Sequence, residues 1–131
     1  SGPRLIPEAP AERLEVLRWQ GLGDGVAEAT VNLNHDLREP KEKQHAPEWH
    51  QRQRDKIDRG LAVMEKDLGK GEFCFGGRFT LADIAAGYAL GYLDFALAEV
   101  EWRKAHPGLT KLAERLAARP SFSSTLQKPA K

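Results

Sequence analysis

The sequence has little of what marks secreted, membrane-bound or nucleic-acid-binding proteins. Its 131 residues include one cysteine, Cys74, which excludes a disulfide within the chain and favours a reducing compartment. Its 20 basic and 19 acidic side chains nearly cancel and form no block of one sign, so neither nucleic acid nor an anionic membrane is favoured as a partner. The longest apolar run is broken by Asp94, and no signal-peptide pattern opens the chain. We therefore expect one cytoplasmic domain.

Motifs that indicate chemistry are also scarce. The sequence contains no P-loop, no Ser-His-Asp order and no paired-carboxylate motif, so no catalytic residue is predicted. Cys74 lies between two phenylalanines, which favours burial over a reactive thiolate. No histidine has a second histidine or a cysteine one helical turn away, and we predict no metal site. The histidines are His35, His45, His50 and His106.

The first long helical pattern covers residues 11 to 38. Apolar residues three or four apart fall on one face: Trp19, Leu22, Val26, Ala29, Leu33 and Leu37. Asp24, Glu28 and His35 fall nearly opposite, with Asn32 at their edge, and the ordinary interpretation of such a set is a solvated face. Three glycines indicate either a bend or a close approach of another backbone: Gly21, Gly23 and Gly25.

A capping box marks the start of the central helix. Thr80 and Asp83 have the spacing at which each side chain bonds a backbone N–H of the other, and Phe79 and Ile84 have that of a hydrophobic staple. The residues that follow, as far as Leu97, are apolar on every side of the helix. A helix without a polar face is normally surrounded by protein, so we expect this one to be buried.

The remaining segments complete an all-α bundle of five to six helices. Residues 1–10 resemble a linker, residues 11–127 form the helical domain, and residues 128–131 are expected to fray. Within the domain, further helices are predicted over residues 48 to 68 and 107 to 119. One or two helical turns are expected over residues 99 to 104, and a short one over 121 to 126.

Several segments together resemble the carboxy-terminal helical domain of bacterial-type cytosolic glutathione S-transferases. Each match is weak alone, but their order and spacing agree with the family over nearly the whole chain. The matching segments are Leu5-Ile6-Pro7, Asp24-Gly25 with Glu28, Arg52-Gln53, Lys56-Ile57, Gly76-Gly77 with Phe79 to Ile84, Tyr92 to Phe95, His106 to Leu109, and Arg119 to Phe122.

The resemblance implies a function for a longer protein. In this family a thioredoxin-like amino-terminal domain binds glutathione, the co-substrate, and activates its thiol for attack on a small hydrophobic electrophile. This chain has no βαβ pattern and lacks that domain, so we expect it to be inactive alone. The helical domain lines the electrophile pocket and joins a homodimer; Asn32 and His35 are candidates for the pocket. Glu28, or Asp24 one turn away, corresponds to an acidic residue that contacts glutathione bound to the other subunit.

The alternative function uses the same fold without catalysis. Helical domains similar to this one are attached to translation factors and synthetases, where they mediate protein–protein contacts. A stand-alone adapter therefore remains open as a second interpretation.

Overall fold

The computed structural model describes residues 5–119, in which four α-helices and one short 3₁₀-helix are found. The α-helices are α1 (Pro10–Leu37), α2 (Pro47–Leu68), α3 (Leu81–Ala96) and α4 (Pro107–Ala117), and the 3₁₀-helix is Lys41–Lys43. α1 packs on both α2 and α3, and α4 contacts α2 and α3. The all-α class is confirmed. No helix in the described part of the chain is long and apolar enough to span a membrane.

The predicted count of five to six helices is too high for residues 5–119. Residues 99 to 104 contain no helix where one or two helical turns were expected, and turns are found only at residues 98–99 and 103–105. The reason is a tether to α3: the Trp102 indole donates to Asp94 at 2.9 Å, and the Arg103 guanidinium binds the same carboxylate at 2.6 Å. The turn predicted over residues 121 to 126 and the tail at 128–131 lie outside the described residues.

The apolar face of α1 forms one side of the core, with one exception. Trp19, Val26 and Leu33 are buried as predicted, but Leu37 is 38% exposed. Asp36 is buried in its place. Leu33 lies three residues from Asp36 and four from Leu37, so helical spacing alone allows either residue to face inward. Hydrogen bonds from the following segment to Asp36 decide which one does.

The crossing of α1 and α3 is close at Gly23. A Cβ atom there would lie 2.8 Å from the carbonyl oxygen of Ala85 in α3. The close-approach interpretation is therefore correct at Gly23, whereas a Cβ at Gly21 or Gly25 would meet nothing within 4 Å. All three glycines lie inside an unbroken helix.

Asp83 links the start of α3 to the preceding loop. Both bonds of the capping box are present, and the Thr80 hydroxyl also accepts from the Ala82 N–H at 3.2 Å. One Asp83 carboxylate oxygen accepts from the Thr80 N–H and the other from the Cys74 N–H, each at 2.8 Å. Asp83 and Thr80 are completely buried, so these donors have no access to water.

The expectation that α3 is buried on every side is wrong for one face. Its buried side, which includes Ala82, Ala86 and Leu93, faces the core. On the other side Tyr88 is 56% exposed, and residues spaced along the same face are half-buried. These residues are Ile84, Tyr92 and Phe95. Phe79 packs edge-on against Phe73, and its staple contact with Ile84 stays a prediction.

α4 receives its amino-terminal cap from α2. His106 occupies the cap position but its side chain makes no cap bond. Instead the Glu65 carboxylate accepts from the N–H groups of Gly108 and Leu109, each at 2.9 Å. A carboxylate at a helix amino terminus satisfies unpaired donors and opposes the positive end of the dipole.

The capping bonds predict a graded loss of stability. Thr80→Ala should lower the free energy of unfolding by about 1 kcal/mol, since it removes one cap. Asp83→Ala should cost about 3 kcal/mol, because it leaves two buried N–H groups unpaired. The double variant should lose less than the sum, since both bonds hold one turn. Urea unfolding measures all three, and equal losses for the two single variants would contradict a contribution from the Cys74 bond.

The glycines of α1 provide a matched pair of substitutions. Gly23→Ala should destabilise the fold by about 1–3 kcal/mol, because the new methyl group meets the Ala85 carbonyl. Gly25→Ala should instead be neutral or stabilising by up to about 1 kcal/mol, since it raises helix propensity in open space. Thermal unfolding of both variants tests the close crossing, which a gain in stability for Gly23→Ala would refute.

Candidate functional site

The side of α1 opposite the core is an open surface that carries both charge and apolar groups. Asp24 and Glu28 lie one helical turn apart and both are exposed. Within residues 5–119 neither carboxylate has a hydrogen bond or ion pair with another side chain. Exposed apolar residues share this side of the helix: Leu14 at 70%, Val31 at 44% and Leu17 at 39%. Such a surface suits a cationic group and a second protein surface together.

The other two predicted site residues lie towards the carboxyl end of the same helix. His35 and Asn32 are both exposed, His35 on the side of Glu28 and Asn32 at its edge. Within the described residues, no other element forms a hydrogen bond or ion pair with either side chain. The four predicted residues therefore share one helix surface, and anything that completes a pocket over them comes from outside residues 5–119.

A cluster that the sequence did not indicate lies at the end of α1. The nearly buried Asp36 carboxylate contacts His45 Nδ1 at 2.7 Å and His50 Nε2 at 2.5 Å. It also accepts from the backbone N–H of His45 at 3.0 Å. The His45 ring stacks on Trp49, with ring centroids 4.2 Å apart. The sequence pattern that could have indicated this cluster is an aspartate followed, across a short loop, by two histidines.

The three donors determine the ionisation of Asp36. Burial by itself would raise the pKa of this carboxyl, but hydrogen bonds from His45 and His50 outweigh it and lower the pKa to about 2. Both carboxylate oxygens are occupied by donors. Among residues 5–119, no group of three or more His, Cys, Asp or Glu side chains could hold a metal ion.

Cys74 has the environment of a structural thiol. It is buried, and burial together with the adjacent Asp83 carboxylate raises the pKa of its thiol far above the ordinary range. A thiol in this state is neither a nucleophile nor a metal ligand near neutral pH.

Known proteins resemble the chain in sequence and in fold. The family model of the glutathione S-transferase C-terminal domain matches residues 47–122 of this chain. An uncharacterised GST-like protein of Escherichia coli, YibF, is 36% identical over 123 residues, which cover 94% of this chain and 60% of that protein.

Solved structures of glutathione S-transferases are also similar to this chain. A glutathione S-transferase of Methylobacterium radiotolerans in complex with glutathione sulfonate is 40% identical, with a TM-score of 0.91 over 98% of this chain and 60% of that one. A glutathione S-transferase of Methylobacillus flagellatus with glutathione bound is 35% identical, with a TM-score of 0.89 over 96% of this chain and 61% of that one. The chain thus spans about 60% of the length of these relatives. This chain belongs to the glutathione S-transferase C-terminal domain family.

Proposed function

We propose that this chain is the helical part of a glutathione S-transferase that joins the glutathione thiolate to a small hydrophobic electrophile. Family membership, the glutathione sulfonate in one similar structure and the glutathione in another support the proposal. The thiol-activating residue would come from a preceding thioredoxin-like domain, because Cys74, the cysteine of this chain, is buried with a raised pKa and cannot take that role. A cytoplasmic location is part of the proposal and fits a single unpaired cysteine.

The uncovered face of α3 supports a domain partner. Tyr88, Tyr92 and Phe95 form a ladder of rings along α3, with centroids 6.3 and 6.2 Å apart, and Tyr88 is largely exposed. The amino-terminal segment reaches the same helix, since the Leu81 N–H donates to the Leu5 carbonyl at 2.9 Å. A domain that precedes Leu5 would therefore enter beside an apolar surface able to hold it.

The open surface of α1 supports a homodimer in which each subunit completes the other's glutathione site. Leu14, Leu17 and Val31 supply apolar area for the subunit contact. Glu28, with Asp24 beside it, would accept a hydrogen bond from the γ-glutamyl ammonium of glutathione held by the partner subunit. This unpaired carboxylate pair on an apolar surface is the observation that carries the proposal.

The electrophile would bind next to the same helix. Asn32 and His35 would line its pocket and provide a hydrogen-bond donor or acceptor at an otherwise apolar wall. They position the electrophile and take no part in activating the thiol. The identity of the electrophile depends on residues that both domains contribute.

Glu28→Gln in the longer, dimeric protein should raise the KM for glutathione about tenfold or more and leave kcat nearly unchanged. A charge-assisted hydrogen bond is worth about 1.5–3 kcal/mol, and this one acts in the ground state and the transition state alike. Asp24→Asn should have a smaller effect, and Glu12→Gln, an exposed glutamate in the first turn of α1, should have none. Steady-state kinetics with varied glutathione measure all three.

The outcomes separate the assignments. If only Asp24→Asn raises the KM for glutathione, the contact is made by Asp24, one helical turn from Glu28. If neither variant changes the KM, neither carboxylate contacts glutathione. The 131-residue chain alone should show no conjugation above the uncatalysed rate, and turnover by it would refute the division of roles between domains.

The alternative, a non-catalytic adapter, would use the same two open faces for protein contacts. It predicts that the longer protein binds no glutathione and that Tyr88→Ser reduces partner binding instead of conjugation. Retention of the longer protein on immobilised glutathione distinguishes the two functions.

A further inference from the structure

A cavity of about 540 Å³ lies between the carboxyl end of α2 and the helix α4. Three basic side chains line it: Lys70, Lys111 and Arg115. The lining also includes the Glu65 carboxylate, which already accepts from two N–H groups at the amino terminus of α4. Three cations and one occupied carboxylate leave the lining with an excess of positive charge.

Arg115 is fixed in this cavity by bonds that do not neutralise it. Its Nε donates to the Glu72 carbonyl at 2.9 Å, and its Nη2 lies 3.5 Å from the Gly71 carbonyl. Both acceptors are uncharged backbone oxygens. A guanidinium has more N–H donors than these two bonds use, so the remaining donors and the full charge are available to an anion. Because the side chain is already held, an anion that binds it restricts little further motion.

The two lysines add charge that the fold leaves uncompensated. Within residues 5–119, no acidic side chain forms an ion pair with Lys70, Lys111 or Arg115. Lys111 precedes Arg115 by four residues on α4, and like charges at this spacing on a helix repel each other. An anion between them would remove that repulsion.

We propose that this cavity binds a small polyanion that carries at least two phosphate or carboxylate groups. Arg115 would bind one group through paired N–H donors, and Lys111 and Lys70 would bind the other as point charges. A ligand with a single negative charge would leave the lining cationic, so a multiply charged one is favoured. The volume of the cavity is typical of a site for a small molecule.

Isothermal titration calorimetry of the 131-residue chain with pyrophosphate tests the site. Pyrophosphate should bind at a single site and more weakly as the salt concentration rises, whereas acetate at the same ionic strength should not bind. Lys111→Gln should lower the affinity for pyrophosphate about tenfold, since it removes one charge-assisted bond. Lys56→Gln, which changes an exposed lysine of α2 outside the cavity, is the matched control and should bind like wild type.

Citrate identifies the chemical group that the site accepts. Binding of citrate with the same dependence on Lys111 includes polycarboxylates among the ligands, and binding of pyrophosphate alone restricts the site to phosphate compounds. Either result supports the cavity as a polyanion site. Arg115→Lys keeps the charge but loses the paired donors, so it should weaken binding of the accepted anion several-fold.

Three results would overturn the polyanion site. The first is that neither pyrophosphate nor citrate binds, and the second is that Lys111→Gln binds both as tightly as wild type. The third is an equal loss of affinity in Lys56→Gln, which would mean general attraction to a basic surface. Lys111 makes no side-chain bond within the described residues, so its variant should fold even if Arg115→Lys does not.

The cavity shares no residue with the proposed glutathione contact at Glu28 and Asp24. Lys111→Gln in the longer protein should therefore leave the KM for glutathione unchanged. The polyanion site and the proposed function can fail separately.

Discussion

The fold depends on the buried Asp83 carboxylate. Its two oxygens accept from the N–H groups of Thr80 and Cys74 at 2.8 Å, which joins the start of α3 to the loop that leaves α2. Because both donors are cut off from water, no solvent molecule can replace the carboxylate. This interaction sets where α3 begins and therefore how its small residues meet α1 at Gly23.

The position of α3 in turn decides which surfaces remain open. The contact with α1 covers one side of α3 and leaves the aromatic ladder of Tyr88, Tyr92 and Phe95 uncovered. The same contact turns Asp24 and Glu28 of α1 away from the core. Both open surfaces lie on a chain that spans about 60% of the length of its relatives. The proposed function assigns the first surface to a preceding domain and the second to a partner subunit.

The sequence predicted what depends on neighbouring residues. The capping box of Thr80 and Asp83, the stripe of α1 and the burial of Cys74 all follow from spacing or from adjacent side chains. Prediction from the sequence failed for features that depend on residues far apart in the chain. Trp102 and Arg103 bond Asp94, and the segment that contains them forms no helix. Glu65 caps α4 although it lies 43 residues before Gly108.

In the candidate site, too, local spacing could be predicted from the sequence, whereas contacts with distant residues could not. The exposure of Asp24 and Glu28 could be predicted from helical spacing, but their role depends on protein outside this chain. The Asp36 cluster was missed because Leu37 fits the apolar stripe equally well and only the fold brings His45 and His50 to the carboxylate. The open face of α3 was missed because an apolar helix does not reveal which of its sides its own domain will cover.

Native-state hydrogen exchange of the Thr80 and Cys74 amides tests the central role of Asp83 most directly. If the Asp83 carboxylate organises the fold, both amides should exchange only through global unfolding, with the same opening free energy as core amides of α1 such as Leu33. Exchange of the two amides by local fraying, at the rate of exposed loop amides, would contradict the account.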